Sequence, residues 1–378
     1  MHLTLHLTRA CNMACHYCYA PPRPGAGMSL SVGTRALEWG LRHNRGACGI
    51  VFFGGEPLVE RQTLLALVEM GRAIEARNGG TFHFKITTNG LLLDDAFLET
   101  ACRRQIMIAM RFDGVREAHA APRRLADGSG TFDLLLPRLR ALLSAKPYSS
   151  IIMVVNPDTL RHLADSAEFL VELGVRYLII SLNYAADWTP GDLDTLRAQY
   201  TRLARFYARW SRLGRKFYLS PFEVKLSSHI NADCFAQERC DLGARQLSVD
   251  PEGNLFPCVQ FATAGPQSPW CVGSVFAGLD AQRLGALNEE SHREKPVCRD
   301  CALQARCGHT CSCLNWQTSG SITEVSPVLC QHERTLIEIS DRLGNLLYRR
   351  RDARFLQKHY NRAYPLLSLM EDAEAEKG

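Results

Sequence analysis

The chain has 378 residues, with 44 basic and 39 acidic side chains and a formal net charge of +5 at pH 7. This length is sufficient for one large domain and a smaller one, and so small a positive excess does not indicate nucleic acid binding. No stretch reaches the roughly 18 uncharged apolar residues of a membrane span, and the N-terminus lacks the basic start and apolar run of a secretory signal. The composition therefore predicts a cytoplasmic protein that binds neither nucleic acid nor membranes.

Apolar runs of strand length alternate with helical patterns from residue 2 to about residue 215. The spacing of the runs suits parallel strands that are joined by helices. One connecting segment, 61–78, has helical periodicity and ends in Asn78-Gly79-Gly80, a common helix stop. The pattern predicts an α/β fold with a partial (β/α)6 barrel, whose six strands lie at 3–7, 49–53, 83–87, 106–110, 150–155 and 177–182.

Distinctive residues follow the ends of the first three predicted strands. Three cysteines lie within 11–18, the sequence GGEP occupies 54–57, and TTNG occupies 87–90. In parallel α/β folds the ligand sites gather at the carboxyl ends of the strands. We therefore expect these three segments to meet in one site.

Fifteen cysteines in one chain indicate metal binding, because disulfides are rare in a reducing compartment. The segment CNMACHYC supplies three thiols, Cys11, Cys15 and Cys18, with C-x3-C-x2-C spacing. A four-iron cluster normally takes four thiolates, so three would leave one iron open to an outside ligand. A structural zinc site with His16 as the fourth ligand is the alternative.

These motifs together resemble those of the radical S-adenosylmethionine (SAM) family, in which an aromatic residue, here Tyr17, precedes the last cysteine. The resemblance implies a [4Fe-4S] cluster on the three cysteines, with SAM bound to its open iron and cleaved to a 5′-deoxyadenosyl radical. Arg111 stands where the family often has serine near the SAM ribose, which leaves that contact open. The implied SAM-binding residues are Tyr17, Gly54, Gly55, Glu56, Pro57, Thr88, Asn89 and Arg111.

Ten further cysteines lie between residues 234 and 330, and their spacing resembles the SPASM extension of radical SAM enzymes. The resemblance implies two auxiliary [4Fe-4S] clusters, three clusters in all, with a role in electron transfer. A zinc ribbon is the alternative for residues 298–311. The implied ligands are Cys234, Cys240, Cys258 and Cys311 for auxiliary cluster I, and Cys298, Cys301, Cys307 and Cys330 for auxiliary cluster II.

The remaining cysteines and the domain limits complete this prediction. Cys48 and Cys102 are expected to be buried in the core, and no role is assigned to Cys271 and Cys313. The predicted division of the chain is a radical SAM barrel over 1–215, a SPASM domain over 216–335 and C-terminal helices over 336–378.

The resemblance implies an oxidoreductase that cross-links or oxidises a residue of a ribosomally made peptide or protein, with a flavodoxin or ferredoxin as electron donor. Anaerobic sulfatase maturases place aspartate directly after the cysteine equivalent to Cys258, whereas this chain has Val259-Gln260, which disfavours formylglycine formation. A small-molecule dehydrogenase or mutase could use the same scaffold, and a non-catalytic iron–sulfur electron carrier could use the same cysteines. The GGEP segment argues against the carrier.

Candidate acid–base groups are Tyr184 and Asp187 beyond the sixth strand, and Glu223. Because the chain starts at the first strand, we expect the leader of a precursor peptide to bind the core, the C-terminal helices or a separate protein. The segment 199–218 predicts an amphipathic helix and a candidate surface for an acidic leader. Its basic stripe comprises Arg202, Arg205, Arg209 and Arg212, and its core-facing stripe comprises Leu203, Phe206, Trp210 and Leu213.

Overall fold

The computed structural model describes residues 2–20, 25–44, 46–231, 242–262 and 265–375. Two predicted cluster ligands, Cys234 and Cys240, lie outside the described residues. Within the described ranges, none of the helices combines the length and the apolar character needed to cross a membrane.

A mostly parallel sheet of nine strands forms the centre of the molecule. Its first seven strands stand in chain order, and each is parallel to the next. The predicted α/β fold and all six predicted barrel strands are confirmed. These seven strands are β1 (His2–Thr8), β2 (Ala47–Gly54), β3 (Thr81–Thr88), β4 (Met107–Arg111), β5 (Ser150–Val155), β6 (Tyr177–Leu182) and β7 (Tyr218–Leu219).

Two later strands extend the opposite edge of this sheet. The strand β8 (Gln246–Val249) lies parallel to β1, and β9 (Leu255–Phe256) lies antiparallel to β8. Both strands belong to the cysteine-rich region between residues 234 and 330, which we call the second cysteine unit. This unit therefore extends the barrel sheet next to β1. A separate hairpin joins β10 (Gly273–Ser274) to β11 (Gly278–Leu279).

Helices follow the strands in the order that the periodicity predicts. The predicted helix over 61–78 is present with the same limits, and it ends where Gly79 adopts a positive φ of 72°. The barrel helices are α1 (Leu30–His43), α2 (Arg61–Asn78), α3 (Asp95–Arg103), α4 (Arg116–Ala120), α5 (Phe132–Ala145), α6 (Leu163–Glu172), α7 (Pro190–Arg212) and α8 (Ser220–Ile230). The later helices are α9 (Ala281–His292), α10 (Ser312–Ser319), α11 (Pro327–Arg349), α12 (Ala353–Tyr360) and α13 (Tyr364–Ala375).

The long helix α7 packs against α6 and α11, and this arrangement corrects part of the predicted amphipathic pattern. Leu203 and Trp210 are fully buried, as the pattern predicts. Leu213 is 60% exposed, because α7 ends at Arg212 and Gly214, with a φ of 70°, turns the chain away.

Cys48 and Cys102 have different environments. Cys48 is buried between α1 and the sheet, as expected. Cys102 is exposed, so the prediction that it belongs to the core is wrong. The buried stripe of α3 consists of Phe97, Leu98 and Ala101, and Cys102 lies one residue beyond it.

Two buried histidines should make the fold sensitive to acid. Burial, together with Arg9, lowers the pKa of His6 to about 4, and burial, together with Arg123, lowers that of His119 to about 2. In the unfolded chain both titrate near pH 6.5, so below that pH the unfolded state binds more protons. We expect the free energy of unfolding to fall by about 2 kcal/mol per histidine between about pH 7 and pH 5.

Urea unfolding under anaerobic conditions at the two pH values measures this loss. The variant His6→Leu should lose about 2 kcal/mol less than the wild-type protein over the same range. Equal losses in the two proteins would contradict the assignment to His6.

Candidate active site

The glycines of the GGEP segment hold the start of the loop over residues 11–18, which carries the three N-terminal cysteines and is called the cysteine loop here. A Cβ atom on Gly54 would lie 2.3 Å from the carbonyl oxygen of Thr8, and one on Gly55 would lie 2.2 Å from that of Ala10. The backbone N–H groups of Gly55 and Glu56 donate to these same two carbonyls, both at 2.9 Å. Only glycine permits so close an approach, so the end of β2 fixes the chain immediately before Cys11.

The carboxylate of Glu56 joins the end of β2 to the end of β3. It is fully buried and accepts hydrogen bonds from Leu58 N (3.0 Å), Thr88 Oγ1 (2.8 Å) and Asn89 N (2.6 Å). Burial raises the pKa of this carboxyl, and the three donors oppose that rise. The amide of Asn89 in turn lies 3.7 Å from Cys11 Sγ. The three predicted segments therefore meet at the carboxyl ends of β1, β2 and β3.

A buried network holds the other end of the cysteine loop against β4. The Tyr17 hydroxyl donates to Asp113 Oδ2 at 2.8 Å and accepts from the Arg123 guanidinium at 3.1 Å. Arg123 also donates to the carbonyl oxygen of Asn89 at 3.1 Å, and Asp113 accepts from Val154 N at 3.0 Å. Asp113 and Arg123 were not predicted as site residues; the signals are an Asp-Gly pair after β4 and an arginine in the following segment.

The three thiols of the loop lie in one partly buried cluster. Burial raises the pKa of Cys15 to about 11, with Cys11 and Cys18 close enough to contribute. Three neighbouring thiols fit a four-iron cluster, which binds them as thiolates.

A cavity of about 500 Å³ extends from this cluster of thiols into the barrel. Cys18, Tyr17 and Arg111 line it on the loop side, and Gln317 and Leu336 line it on the side of the C-terminal helices. The guanidinium of Arg111 lies 5.3 Å from the centroid of the Phe53 ring, which also lines the cavity. The arginine that replaces the family's serine therefore presents its charge to the cavity.

An imidazole is held between two tyrosines in the cavity wall. The Tyr184 hydroxyl lies 2.7 Å from His332 Nδ1, and the Tyr200 hydroxyl lies 3.0 Å from His332 Nε2. All three residues line the cavity. Tyr184 is a predicted acid–base residue, whereas His332 was not predicted, because this buried histidine lies on a helix far along the chain.

Comparison with known proteins identifies the family of this site. Residues 5–185, which contain the cysteine loop and strands β1 to β6, match the model of the Radical SAM superfamily. This match places the N-terminal part of the chain, residues 5–185, in the Radical SAM superfamily. The chain is 24% identical over 323 residues to the serine-type anaerobic sulfatase-maturating enzyme of Klebsiella aerogenes, which covers 80% of this chain and 75% of that protein. It is also 24% identical over 303 residues to the cysteine-type enzyme of Clostridium novyi, covering 75% of each.

Two solved structures share the fold of this chain. The structure titled native anSMEcpe with bound AdoMet has a TM-score of 0.79 at 20% identity, covering 92% of this chain and 99% of that one. Streptococcus suis SuiB bound to the precursor peptide SuiA has a TM-score of 0.61 at 14% identity, covering 87% of this chain and 75% of that one. These similarities show the fold, and the match to the family model together with the sulfatase-maturating relatives identifies the chain as a radical SAM enzyme.

A buried ion pair of this radical SAM enzyme connects the cavity wall to the second cysteine unit. Lys225 Nζ lies 2.7 Å from Glu333 Oε2, and both side chains line the cavity. Glu333 also accepts from Gly308 N at 2.6 Å, and Lys225 donates to the carbonyl oxygen of Arg306 at 2.8 Å. Burial and the adjacent Glu333 raise the pKa of the neighbouring Cys307 thiol.

Two predicted acid–base residues lie away from the cavity of the radical SAM enzyme. Asp187 is exposed and does not line the cavity. Glu223 is buried, but it forms an ion pair with Lys358 on α12 and accepts a hydrogen bond from Tyr207 at 3.2 Å. The sequence placed Asp187 beyond the sixth predicted strand, but it could not show where the side chains of Asp187 and Glu223 point.

Six of the described cysteines in the second unit lie in two groups of three. In one group, Cys311 Sγ lies 3.4 Å from Cys313 Sγ, and Cys313 also contacts the buried Cys258. In the other, the Arg334 guanidinium lies 3.4 Å from Cys330 Sγ and 3.7 Å from Cys301 Sγ, and Cys298 is close to both thiols. The contact of Cys313 with the first group was not predicted.

Proposed function

We propose that this radical SAM enzyme is a peptide maturase, which oxidises or cross-links one residue of a ribosomally made peptide or protein. The main observation that supports this proposal is the active-site cavity, which is bounded at one end by Cys18 and at the other by helices of the second cysteine unit. Its volume of about 500 Å³ is within the range of small-ligand sites and suits a substrate side chain held beside a cofactor. The sulfatase-maturating relatives and the peptide-bound structures support a peptide substrate.

We assign the cofactor sites to the cysteines and strand ends given by the family resemblance. Cys11, Cys15 and Cys18 would hold the SAM-binding cluster, and the two sets of SPASM cysteines would hold auxiliary clusters I and II. When bound, the first cluster and SAM would supply the radical that abstracts a hydrogen atom, and the auxiliary clusters would supply an acceptor for the second electron of the oxidation. The proposed SAM contacts remain Tyr17, residues 54–57, Thr88, Asn89 and Arg111.

Tyr184 and His332 provide the route for the proton in this proposal. A substrate carbon that has lost a hydrogen atom and then an electron completes its oxidation by losing a proton. The Tyr184 hydroxyl lines the cavity and is hydrogen-bonded to His332 at 2.7 Å, so it can accept that proton as it passes its own to the imidazole. Arg111 would bind a substrate carboxylate or backbone carbonyl in the same cavity.

The substrate class is tested with the short reading frames beside the gene. Each encoded peptide is co-expressed with the enzyme and examined by mass spectrometry for a change that requires Cys11, Cys15 and Cys18. We expect one peptide to be modified and to stimulate formation of 5′-deoxyadenosine by the purified enzyme. If small molecules stimulate this reaction and no peptide does so, the peptide-maturase proposal is wrong.

The variant Tyr184→Phe should lower product formation by about 100-fold, because the hydroxyl that receives the proton is absent. SAM cleavage, measured as 5′-deoxyadenosine, should continue. The matched control is Tyr207→Phe, whose buried hydroxyl donates to Glu223 and does not line the cavity. Wild-type product yield from Tyr184→Phe would remove Tyr184 from the proposal.

Formylglycine formation on a sulfatase is a second candidate, which the similarity to sulfatase-maturating enzymes favours. The cavity does not favour it. Val259 follows Cys258, Gln260 lines the cavity and accepts from Gln317 at 2.7 Å, and the single carboxylate among the described lining residues, Glu333, is ion-paired. Incubation with sulfatase-derived serine and cysteine peptides distinguishes the two functions.

A further inference from the structure

A second cavity, of about 390 Å³, lies between α7 and α11. Five arginines line it: Arg205, Arg209 and Arg212 from α7, Arg342 from α11, and Arg350, which directly follows α11. No aspartate or glutamate is found among the described residues of its lining. We name this cavity the arginine groove.

Most of this positive charge is not neutralised by the protein itself. Arg209 and Arg342 form ion pairs with glutamates outside the lining. Arg205, Arg212 and Arg350 are exposed and have no ion-pair partner in the part of the chain that the structure describes. Three exposed guanidinium groups around one depression attract carboxylates and can bind them in bidentate geometry.

The predicted basic stripe of α7 is therefore only partly correct. Arg202 lies outside the groove and forms an ion pair with Asp165 on α6. The other three arginines of the stripe line the groove, where α11 and the residue that follows it contribute two more. The sequence of one helix could not show that its basic residues face those of a helix more than a hundred positions away.

The floor of the arginine groove is apolar. Ala204 and Ala208 line it from α7, and Ile339, Leu343 and Leu346 line it from α11. Ile339 and Leu343 are almost fully buried, while Leu346 remains 39% exposed. The small alanines leave room above the larger side chains. Each wall extends over about three helical turns, or about 16 Å, which accommodates apolar anchors at positions i, i+4 and i+7 of a bound helix.

The arginine groove begins where the wall of the active-site cavity ends. Tyr200 on α7 and Leu336 on α11 line the active-site cavity, whereas Thr201 and Ile339 line the groove. We propose that the arginine groove binds an acidic amphipathic helix of the peptide substrate, outside the segment that is modified. This inference rests on the proposed function. A segment held there keeps the reacting residue at a high effective concentration beside the cavity.

The lining favours a helical peptide over single-stranded nucleic acid. Nucleic acid sites combine basic residues with aromatic rings on which bases stack. The described lining of the arginine groove contains no aromatic side chain, and its floor is aliphatic. An amphipathic helix satisfies both parts of the groove, with apolar residues on the floor and carboxylates at the arginines.

The test uses a fluorescein-labelled, hydrocarbon-stapled peptide of about 12 residues, since unstapled helices of that length are marginal in water. The probe has leucine at i, i+4 and i+7 and glutamate at most other positions. We expect it to bind the cluster-loaded enzyme, and we expect higher salt to weaken binding. The double variant Arg205→Glu/Arg350→Glu should weaken binding at least about tenfold, and Leu346→Ser should also weaken it. Fluorescence anisotropy measures each affinity without SAM or turnover, so a failure of the proposed chemistry does not affect the result.

The matched control is Arg35→Glu/Arg103→Glu, which makes the same change in net charge at exposed arginines on α1 and α3. This control should bind the probe like the wild-type enzyme. The proposal is overturned if the wild-type enzyme does not bind the probe, if both double variants lose affinity equally, or if a lysine version of the probe binds as well. It is also overturned if single-stranded DNA competes with equal affinity, or if the groove variants convert a dimer to a monomer without changing probe affinity.

Discussion

Replacement of Cys11, Cys15 and Cys18 by alanine is expected to remove about four of about twelve irons per chain and to abolish 5′-deoxyadenosine formation. The three thiols form one cluster beside the cavity, and the proposed SAM-binding iron depends on all of them. Anaerobic reconstitution followed by iron analysis and a SAM-cleavage assay measures both effects.

The variant should still fold, because the cysteine loop is held by groups other than its thiols. Ala14 N donates to the carbonyl oxygen of Arg124, and His16 N donates to that of Pro122, both at 2.8 Å. The control is Cys102→Ala, since that thiol is exposed on α3 and should not affect iron content. Stoichiometric zinc instead of iron in the wild-type protein, or unchanged SAM cleavage in the triple variant, would refute the cluster assignment.

The barrel was predictable because its signals are local. Each of the six strands is a short apolar run, and the ends of β1, β2 and β3 carry motifs whose residue types are dictated by close contacts. Gly54 and Gly55 illustrate this, since no larger residue fits beside the carbonyl oxygens of Thr8 and Ala10. Two other strands could not be predicted in this way. Strand β7 has only two residues, which is too short for a periodic pattern, and β8 pairs with β1 although most of the chain separates them in sequence.

The cavity wall was less predictable, because its groups come together only in the folded chain. Tyr184 and His332 are 148 positions apart, and His332 has the pattern of an ordinary polar residue on α11. From the sequence, Asp187 and Glu223 were candidate acid–base groups just as Tyr184 was. The direction of each side chain decides between them, since Asp187 is exposed and Glu223 pairs with Lys358.

The second cysteine unit shows the same limit. The spacing of its cysteines indicates metal binding, but it could not show that Cys313 lies 3.4 Å from Cys311. Nor could it show that the Arg334 guanidinium lies beside the Cys301 and Cys330 thiols. These contacts depend on the short turns around α10 and the start of α11.

The double variant Cys298→Ala/Cys301→Ala should lose about four irons, retain SAM cleavage and form no detectable product. Neither cysteine lines the active-site cavity, whereas Cys18 does, so radical formation and substrate binding should be unaffected. Oxidation would then stop after hydrogen abstraction, because auxiliary cluster II cannot accept the second electron. Quantification of 5′-deoxyadenosine and of modified peptide from the same reaction separates the two steps.

The matched control for this variant is Cys271→Ala, because Cys271 belongs to neither proposed ligand set and its Sγ contacts the carbonyl oxygen of Gly273 at 3.5 Å. It should keep all the iron and the full product yield. Since Arg334 is bonded to Cys330 as well as to Cys301, α11 should remain in place when Cys301 is removed, and Tyr184 should still contact His332. Normal product yield from the double variant, with cluster II absent by iron analysis and by electron paramagnetic resonance, would show that cluster II is not an electron relay. Loss of SAM cleavage with the SAM-binding cluster intact would instead show that the second unit supports the radical step itself.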